Sequence, residues 1–152
     1  MRCSLEQFAF LDFLRQSHAR LCGVLAILLH AALDAIEAAS GLAPTLTIRT
    51  GAVPADCAAA DSGTVLATLA LPSDWLGPAS GGAKTLLGLW QDATADATGI
   101  AAHFRIKQGT VCHLQGTVAA TGGGGDMTLD NVSIATGQQV TITAFTLTAG
   151  GA

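Results

Sequence analysis

The side chains best suited to chemistry in this sequence are two histidines and a cysteine, His103, Cys112 and His113. Imidazole and thiolate groups bind zinc, and a cysteine beside a histidine can also act as a nucleophile. Alternation along the predicted strands places Cys112 and His113 on opposite faces, so at most one of them joins His103. That leaves too few ligands for zinc, and no third group is present to orient a catalytic pair. The pattern therefore predicts no metal centre and no catalytic site here.

A second candidate is the carboxylate pair Asp126 and Asp130, which follows the glycine run 122–125. The two side chains share a face if the strand is regular. A calcium ion takes about six to eight oxygen ligands from converging loops. Two carboxylates supply too few, so we expect a solvated strand end and no bound metal.

Residues 77–85, Gly-Pro-Ala-Ser-Gly-Gly-Ala-Lys-Thr, look like a phosphate-binding loop. Ala83 breaks the motif because it separates the last glycine from Lys84. The motif also requires a following helix, whose N-terminal N–H groups converge on the phosphate, and here a β-like segment follows. No serine lies in a nucleophile-elbow motif either. We expect no nucleotide, no other cofactor and no enzymatic activity.

Trp75 and Trp90 are the tryptophans of a chain that has no tyrosine. An exposed pair of indoles would form a platform for a sugar ring, which makes a carbohydrate-binding or surface-binding module an alternative function. A tryptophan in an aliphatic β domain belongs more often to the core or to an interface. We predict the core or interface location.

The charges are few and spread out, with a net charge of −4. Residues 42–152 contain the basic side chains Arg49, Lys84, Arg105 and Lys107, which form no stripe that could neutralise nucleic-acid phosphates. Direct nucleic-acid binding is therefore not expected. Low charge on an Ala- and Thr-rich surface also removes repulsion between chains, which favours a homo-oligomer.

The cysteines Cys3, Cys22, Cys57 and Cys112 lie in different segments and show no C-x-x-C spacing. A chain with this much aliphatic residue needs no covalent staple, and small buried thiols are common. We expect four free thiols, with two disulfides as the alternative.

Residues 1–41 form the first predicted unit, a helical segment that contains no proline. Asp34 and Glu37 fall outside its apolar stripe, and Ser40-Gly41 gives a stop signal. The stripe follows helical spacing and is the predicted interface, formed by Leu21, Leu25, Leu28, Ala32 and Ile36.

The apolar run from Leu21 to Leu29 is too short to span a membrane, because a helix needs about 20 apolar residues. A signal peptide is an alternative, although Glu6 and Asp12 in the preceding segment argue against it. An exposed helix this apolar would aggregate, so its stripe must be covered. We expect another chain to cover it, and the chain's own β domain is the alternative.

Residues 42–152 form the second predicted unit. Short strands with turns at close spacing predict a mainly β fold, an antiparallel β-sandwich or jelly roll. Residues 51–63 and 72–84 are the long loops. The strands are predicted at 45–50, 65–71, 86–90, 100–106, 110–119, 126–134 and 138–148.

The strand at 100–106 has the clearest alternation. Ile100, Ala102, Phe104 and Ile106 share its predicted core face, which puts His103 on the polar face. In the last strand the apolar spacing shifts by one residue, which predicts a bulge or bend near Thr143.

Several segments of the chain together form a recognisable succession. They are Leu33-Asp-Ala-Ile36, Leu46-Thr-Ile-Arg-Thr-Gly51 with Pro54-Ala55, Ser62-Gly-Thr-Val-Leu-Ala-Thr-Leu69, Gly99-Ile-Ala-Ala-His-Phe-Arg-Ile106, Gln115-Gly-Thr-Val118, Gly125-Asp-Met-Thr-Leu-Asp-Asn131 and Gln139-Val-Thr-Ile-Thr-Ala-Phe-Thr-Leu147. In this order they resemble small structural proteins encoded in tailed-bacteriophage and prophage genomes. The likeness covers roughly residues 31–150. Residues 1–30 depart from it, either as an added anchoring helix or as the product of an upstream start codon.

The resemblance implies a non-enzymatic virion component that contacts other virion proteins, such as major capsid or tail proteins. The expected place is the capsid exterior, as a decoration or cementing protein or as the base of a head fibre. A tail-associated virion protein is the alternative.

Overall fold

The computed structural model describes residue 25 and residues 27–149 of the chain. One helix, α1, spans residues 27–40, and Leu25 is also helical. It precedes eleven strands. They are β1 Thr45–Arg49, β2 Val65–Ala70, β3 Ala83–Thr85, β4 Gln91–Asp92, β5 Gly99–Ile100, β6 His103–Gln108, β7 Val111–Ala120, β8 Met127–Leu129, β9 Ser133–Ile134, β10 Val140–Thr141 and β11 Ala144–Thr148.

Helix α1 ends where the sequence predicts. The Ser40 hydroxyl donates a hydrogen bond to the Ile36 carbonyl at 2.9 Å. Gly41 then takes a positive φ of 71° and donates its N–H to the Ala38 carbonyl. Glycine adopts this left-handed conformation without the Cβ clash of other residues, which makes it a common helix terminator.

The strands form one large sheet in the order β2-β1-β6-β7-β8-β11-β3, with two small sheets, β10-β4 and β5-β9. The predicted mainly β fold is confirmed. The large sheet is mixed, however. Strands β7 and β8 pair in parallel, whereas all the other neighbouring strands of this sheet pair antiparallel.

The glycine run 122–125 makes the parallel return from β7 to β8 possible. Gly125 lies so close to β7 that an added Cβ would meet the Ala119 nitrogen at 2.7 Å. The Gly123 N–H donates to the Ala120 carbonyl at 2.8 Å, which closes the turn. Larger side chains do not fit this approach.

The core lies on one face of the large sheet. Register pairs Ile48 with Phe104 and Leu46 with Ile106, and all four are buried. An edge-on contact of 5.8 Å joins the rings of Phe104 and Phe145, which extend the core toward the tryptophans. Trp75 and Trp90 are both fully buried, so the prediction of a core location for them is confirmed.

The predicted strand 100–106 is broken, and part of its core face is wrong. Ile100 is 59% exposed, whereas Ala101 is buried. The chain changes partners here, because the Ala101 N–H donates to the Val132 carbonyl and the Ala102 N–H to the Arg49 carbonyl. Alternation therefore restarts at residue 103, and Phe104 and Ile106 alone keep the predicted core face.

Two other strand predictions have opposite outcomes. The predicted bend near Thr143 is confirmed, because β10 ends at Thr141 and β11 begins at Ala144 with different partner strands. The strand predicted at 86–90 lies earlier, at Ala83–Thr85, and only the bridge between Leu76 and Leu86 reaches into the predicted range.

Ile106 and Ile100 form a matched pair that tests the location of the core. Ile106→Ala should lower the free energy of unfolding by about 2–5 kcal/mol, because Ile106 is fully buried. Ile100→Ala should change it by less than about 1 kcal/mol, since that side chain is mostly in water. Urea denaturation of both variants measures the difference. Equal losses would show that the core is misplaced.

Candidate functional site

The feature that most distinguishes this fold is a polar sheet face covered by the chain's own loop. Thr47, Arg105 and Gln115 are register neighbours across β1, β6 and β7, on the face opposite the aromatic core. Residues 51–63, called the cap loop below, lie over them. His103 lies on this polar face as predicted, but it is 0% exposed, because the cap loop buries the face.

Arg105 is the centre of this cluster and is 1% exposed. Its Nη1 donates to the Ala59 carbonyl at 3.0 Å and to Asp61 Oδ1 at 2.6 Å. Its Nη2 donates to the carbonyls of Asp56 and Cys57 at 3.2 and 3.0 Å. One guanidinium thus fixes the path of the cap loop over six residues, 56–61.

Asp61 brings the negative charge to this cluster. Lys107 Nζ lies 2.5 Å from its Oδ2 and Arg49 Nη2 lies 3.4 Å away, in addition to the Arg105 contact. The hydrogen bond from Lys107 lowers the pKa of Asp61, and Arg105 and Arg49 lower it further against the opposing effect of burial. Three cations facing one carboxylate leave the cluster with excess positive charge.

His103 is held neutral beneath the loop. Its Nδ1 donates to the Gly51 carbonyl at 3.1 Å, because a carbonyl can only accept. Burial lowers the pKa of His103, and the charges of Arg49 and Arg105 lower it further. The ring therefore supports the start of the cap loop and has no open path to a substrate in this conformation.

The ends of the cap loop are joined as tightly as its middle. The Ser62 hydroxyl donates to the Ala52 carbonyl at 2.8 Å, and Gln115 Nε2 donates to the Pro54 carbonyl at 2.7 Å. Gly63 has a φ of 66°, and an added Cβ would lie 1.8 Å from the Thr50 carbonyl oxygen. Only glycine fits there.

A disulfide closes the cluster. Cys57 of the cap loop is bonded to Cys112 of β7, across 55 residues of sequence and with a Cα–Cα distance of 5.2 Å. The expectation that these two cysteines are free thiols is wrong, because the cap loop folds back onto the sheet and brings them together. Cys3 and Cys22 lie outside the described residues. Cys112 is thus unavailable as the nucleophile or metal ligand considered with His103 and His113.

The cap-loop cluster also contains most of the buried polar atoms that lack a partner in the described part of the chain. Four of the five such side-chain atoms lie here, whereas the fifth is Trp75 Nε1. They are Thr47 Oγ1, His103 Nε2, Arg105 Nε and Gln115 Oε1. The sheet face beneath the cap loop is therefore polar, and its polar atoms are buried.

Sequence reasoning missed this cluster. The available signal was the spacing of His103, Arg105 and Lys107, which puts three basic side chains on one face of a single strand. Such a face needs counter-charges, and Asp56 and Asp61 lie together in the preceding loop.

The carboxylates Asp126 and Asp130 do not form a joint site. Asp126 Oδ2 accepts hydrogen bonds from both the N–H and the hydroxyl of Thr117, at 2.8 and 2.7 Å. These bonds lower the pKa of Asp126. Asp130 instead accepts from the Asn131 N–H. Among the described residues, no three potential metal-ligating side chains lie together.

A second charged junction attaches α1 to the β domain. Lys84 is 4% exposed, and its Nζ lies 2.7 Å from Asp34 Oδ1 and 2.5 Å from Glu37 Oε2. Burial opposes the charge on Lys84, but hydrogen bonds to Asp34 and Glu37 outweigh it and raise the pKa of Lys84. The lysine of the phosphate-loop look-alike is therefore already paired.

Next to this junction, an open groove of about 540 Å³ is lined partly by Leu42 and Asp74.

The predicted interface residues occupy different positions on α1. Leu33 is buried, at 1% exposure. Leu25 and Leu28 are 58% and 61% exposed. Ala32 is exposed, Ile36 is half-buried, and Leu21 lies outside the described residues. The helix thus contacts its own domain through the side that carries Asp34 and Glu37 and leaves most of the predicted stripe uncovered.

A scan against protein-family models, a search of curated proteins and a search of solved structures each found no match to this chain. Within the described residues, no helix is long and apolar enough to cross a membrane.

Asp61→Asn should make the stability of the fold less dependent on pH in the acid range. Because the folded-state pKa of Asp61 lies below its unfolded value, the ionised carboxylate stabilises the fold above about pH 4, and this contribution is lost as the pH falls through the folded-state pKa. At pH 7 the variant should melt below the wild type, and the gap should close toward about pH 2.

Thermal melts between neutral and acid pH measure this gap. Asp130→Asn is the control, because that carboxylate accepts a hydrogen bond from the neighbouring Asn131 N–H and contacts no described cation. A gap for Asp61→Asn that stays constant with pH would contradict the ionic role of Asp61.

Proposed function

We propose that this protein is a non-enzymatic structural subunit of a tailed-bacteriophage virion. Its place is the capsid exterior, as a decoration or cementing protein or as the base of a head fibre, in contact with the major capsid protein and with copies of itself. The likeness of residues 31–150 to phage structural proteins supports the class. The observation that carries the assembly role is the exposed apolar stripe of α1.

This stripe remains on a helix that is already attached to its domain. Leu25 and Leu28 are each more than half exposed, and the small, exposed side chains of Ala32 and Ala35 continue the same surface. The Lys84 ion pairs and the hydrogen bond from the Leu76 N–H to Glu37 hold the opposite side of the helix. Contiguous exposed apolar surface of this kind marks contact with another macromolecule.

The outer strands of the large sheet offer no comparable contact. At β2 the Thr68 N–H donates to Asp92, and the Leu66 carbonyl accepts from the N–H of Asp96. At β3 the Thr85 carbonyl accepts from the Gly77 N–H at 2.8 Å. Because these edge groups are already bonded within the chain, association by strand addition is disfavoured. The helix is left as the favoured contact.

Two alternatives differ in how the structure bears on them. A tail-associated virion protein would use the same stripe, so only the location of the protein on the particle distinguishes this alternative from a capsid protein. A carbohydrate-binding module based on Trp75 and Trp90 loses its support, since both indoles are buried in the core.

A sandwich-like or jelly-roll-like packing belongs to the same proposal. The core cluster joins the large sheet to residues of the small-sheet segments, among them Trp90, Ile134 and Val140. These segments would then form the second layer above the large sheet.

Purified phage particles provide the direct test. Mass spectrometry of the particles should detect the protein in many copies, and immunogold labelling should place it on the head. Labelling of the tail would select the alternative. Its absence from particles that assemble normally would overturn the virion role.

A double substitution tests the stripe. Replacing Leu25 and Leu28 by Asp should abolish self-association, because two charges would have to be buried in an apolar contact. The melting temperature of the β domain should change little, since both leucines are exposed. Light scattering gives the mass, and thermal melting gives the stability.

The matched control is Leu89→Asp, which adds a charge at another leucine, 65% exposed and outside the helix. It should leave association intact. Equal loss of association in both proteins would mean that charge alone, and not the stripe, controls assembly.

A further inference from the structure

We propose that the Cys57–Cys112 disulfide is an oxidative lock, added to a cap loop that the folded chain has already closed through Arg105 and Asp61. The loop closes without the covalent bond, and oxidation then makes the closure permanent. The inference rests on the proposed function only for the time at which the two cysteines are oxidised, since a virion protein folds inside the cell and meets an oxidising medium after release.

The first support is that non-covalent contacts alone define the closed loop. Arg105 binds the loop carbonyls and Asp61, Gln115 binds Pro54, and Ser62 binds Ala52. These contacts lie on both sides of Cys57 in the sequence. These contacts would therefore hold the loop closed on either side of the sulfur without the covalent bond.

The second support is that Arg105 positions the reacting cysteine itself. Its Nη2 donates to the Cys57 carbonyl at 3.0 Å. Cys112 lies on β7, where it is the register partner of Lys107, and Lys107 in turn binds Asp61. The guanidinium and the ion pair thus bring the two thiols together, which raises their effective concentration.

The third support is access. Cys57 and Cys112 are both half-buried, unlike the closed polar face beside them. Part of each residue is thus in contact with solvent, and exchange with a small disulfide requires a thiolate that solvent reaches.

The reaction is a thiol–disulfide exchange with a low-molecular-weight disulfide such as oxidised glutathione. One cysteine thiolate attacks a glutathione sulfur, forms a mixed disulfide and releases one glutathione thiolate. The second cysteine thiolate then attacks the protein sulfur of the mixed disulfide and releases the second glutathione. The two cysteines lose two protons and two electrons, and the reagent gains them as two thiols.

The test uses the full chain with Cys3→Ser and Cys22→Ser, so that only this pair remains. Hydrogen exchange is compared between the oxidised protein and the protein reduced with dithiothreitol. Reduction should raise exchange in residues 52–62 by about tenfold or more, the factor expected for freeing a loop from one strong constraint. Protection of β1 and β6 should stay unchanged.

Two results would overturn the proposal. Loss of protection throughout β1 and β6 on reduction would make the disulfide a staple required for folding. Unchanged exchange in the cap loop would mean that the bond locks nothing. Neither result depends on whether the protein belongs to a virion, so failure here is distinct from failure of the proposed function.

The rate of disulfide formation tests the role of the ion pair. With oxidised glutathione, Asp61→Asn in the reduced protein should form the bond about tenfold more slowly, because the loop loses a charge-assisted hydrogen bond. Asp130→Asn is the matched control and should react like the parent. Fluorescence of the buried Trp75 and Trp90 verifies that each protein is folded. Equal rates in all three proteins would overturn the positioning role.

Discussion

The buried guanidinium of Arg105 is the constraint on which the polar face of β1, β6 and β7 and its cap loop depend. A charge at 1% exposure is costly unless its donors are matched by acceptors, and the sheet itself provides none. The cap loop provides three backbone carbonyls and Asp61. Arg105 bonds to these four acceptors at once, so it defines the conformation of the loop. It selects one path for a loop that contains no regular structure.

A second buried cation with matching carboxylates orients helix α1. Lys84 is nearly as buried as Arg105, and Asp34 and Glu37 are the carboxylates that match it. This junction turns the polar side of α1 toward the β domain, where Glu37 also accepts a hydrogen bond from the Leu76 N–H. Had the helix packed by its apolar stripe, Lys84 would have remained an unpaired charge beneath it. The electrostatic requirement of one lysine therefore explains why Leu25 and Leu28 face solvent.

The sequence predicts well those features that depend on residues close together in the chain. Strands β1, β2 and β7, the helix stop at Ser40 and the interruption near Thr143 follow from spacing and glycine placement. The cap-loop cluster was not predictable in this way, because Arg105 and Asp61 are separated by 44 residues and the bonded cysteines by 55. Alternation identifies a polar face but gives no information on whether water or a loop covers it. The break at Ala101 has the same origin, since a change of partner strand is a long-range event.

The two charged junctions also determine what surface remains for a partner. All four basic residues of positions 42–152 are committed to internal ion pairs, Arg49, Arg105 and Lys107 with Asp61 and Lys84 with the helix. Several backbone groups of the outer strands β2 and β3 are bonded within the chain as well. These basic side chains and backbone groups are therefore not free to bind a partner. In the assembly that we propose, desolvation of the apolar stripe on α1 would provide the driving force.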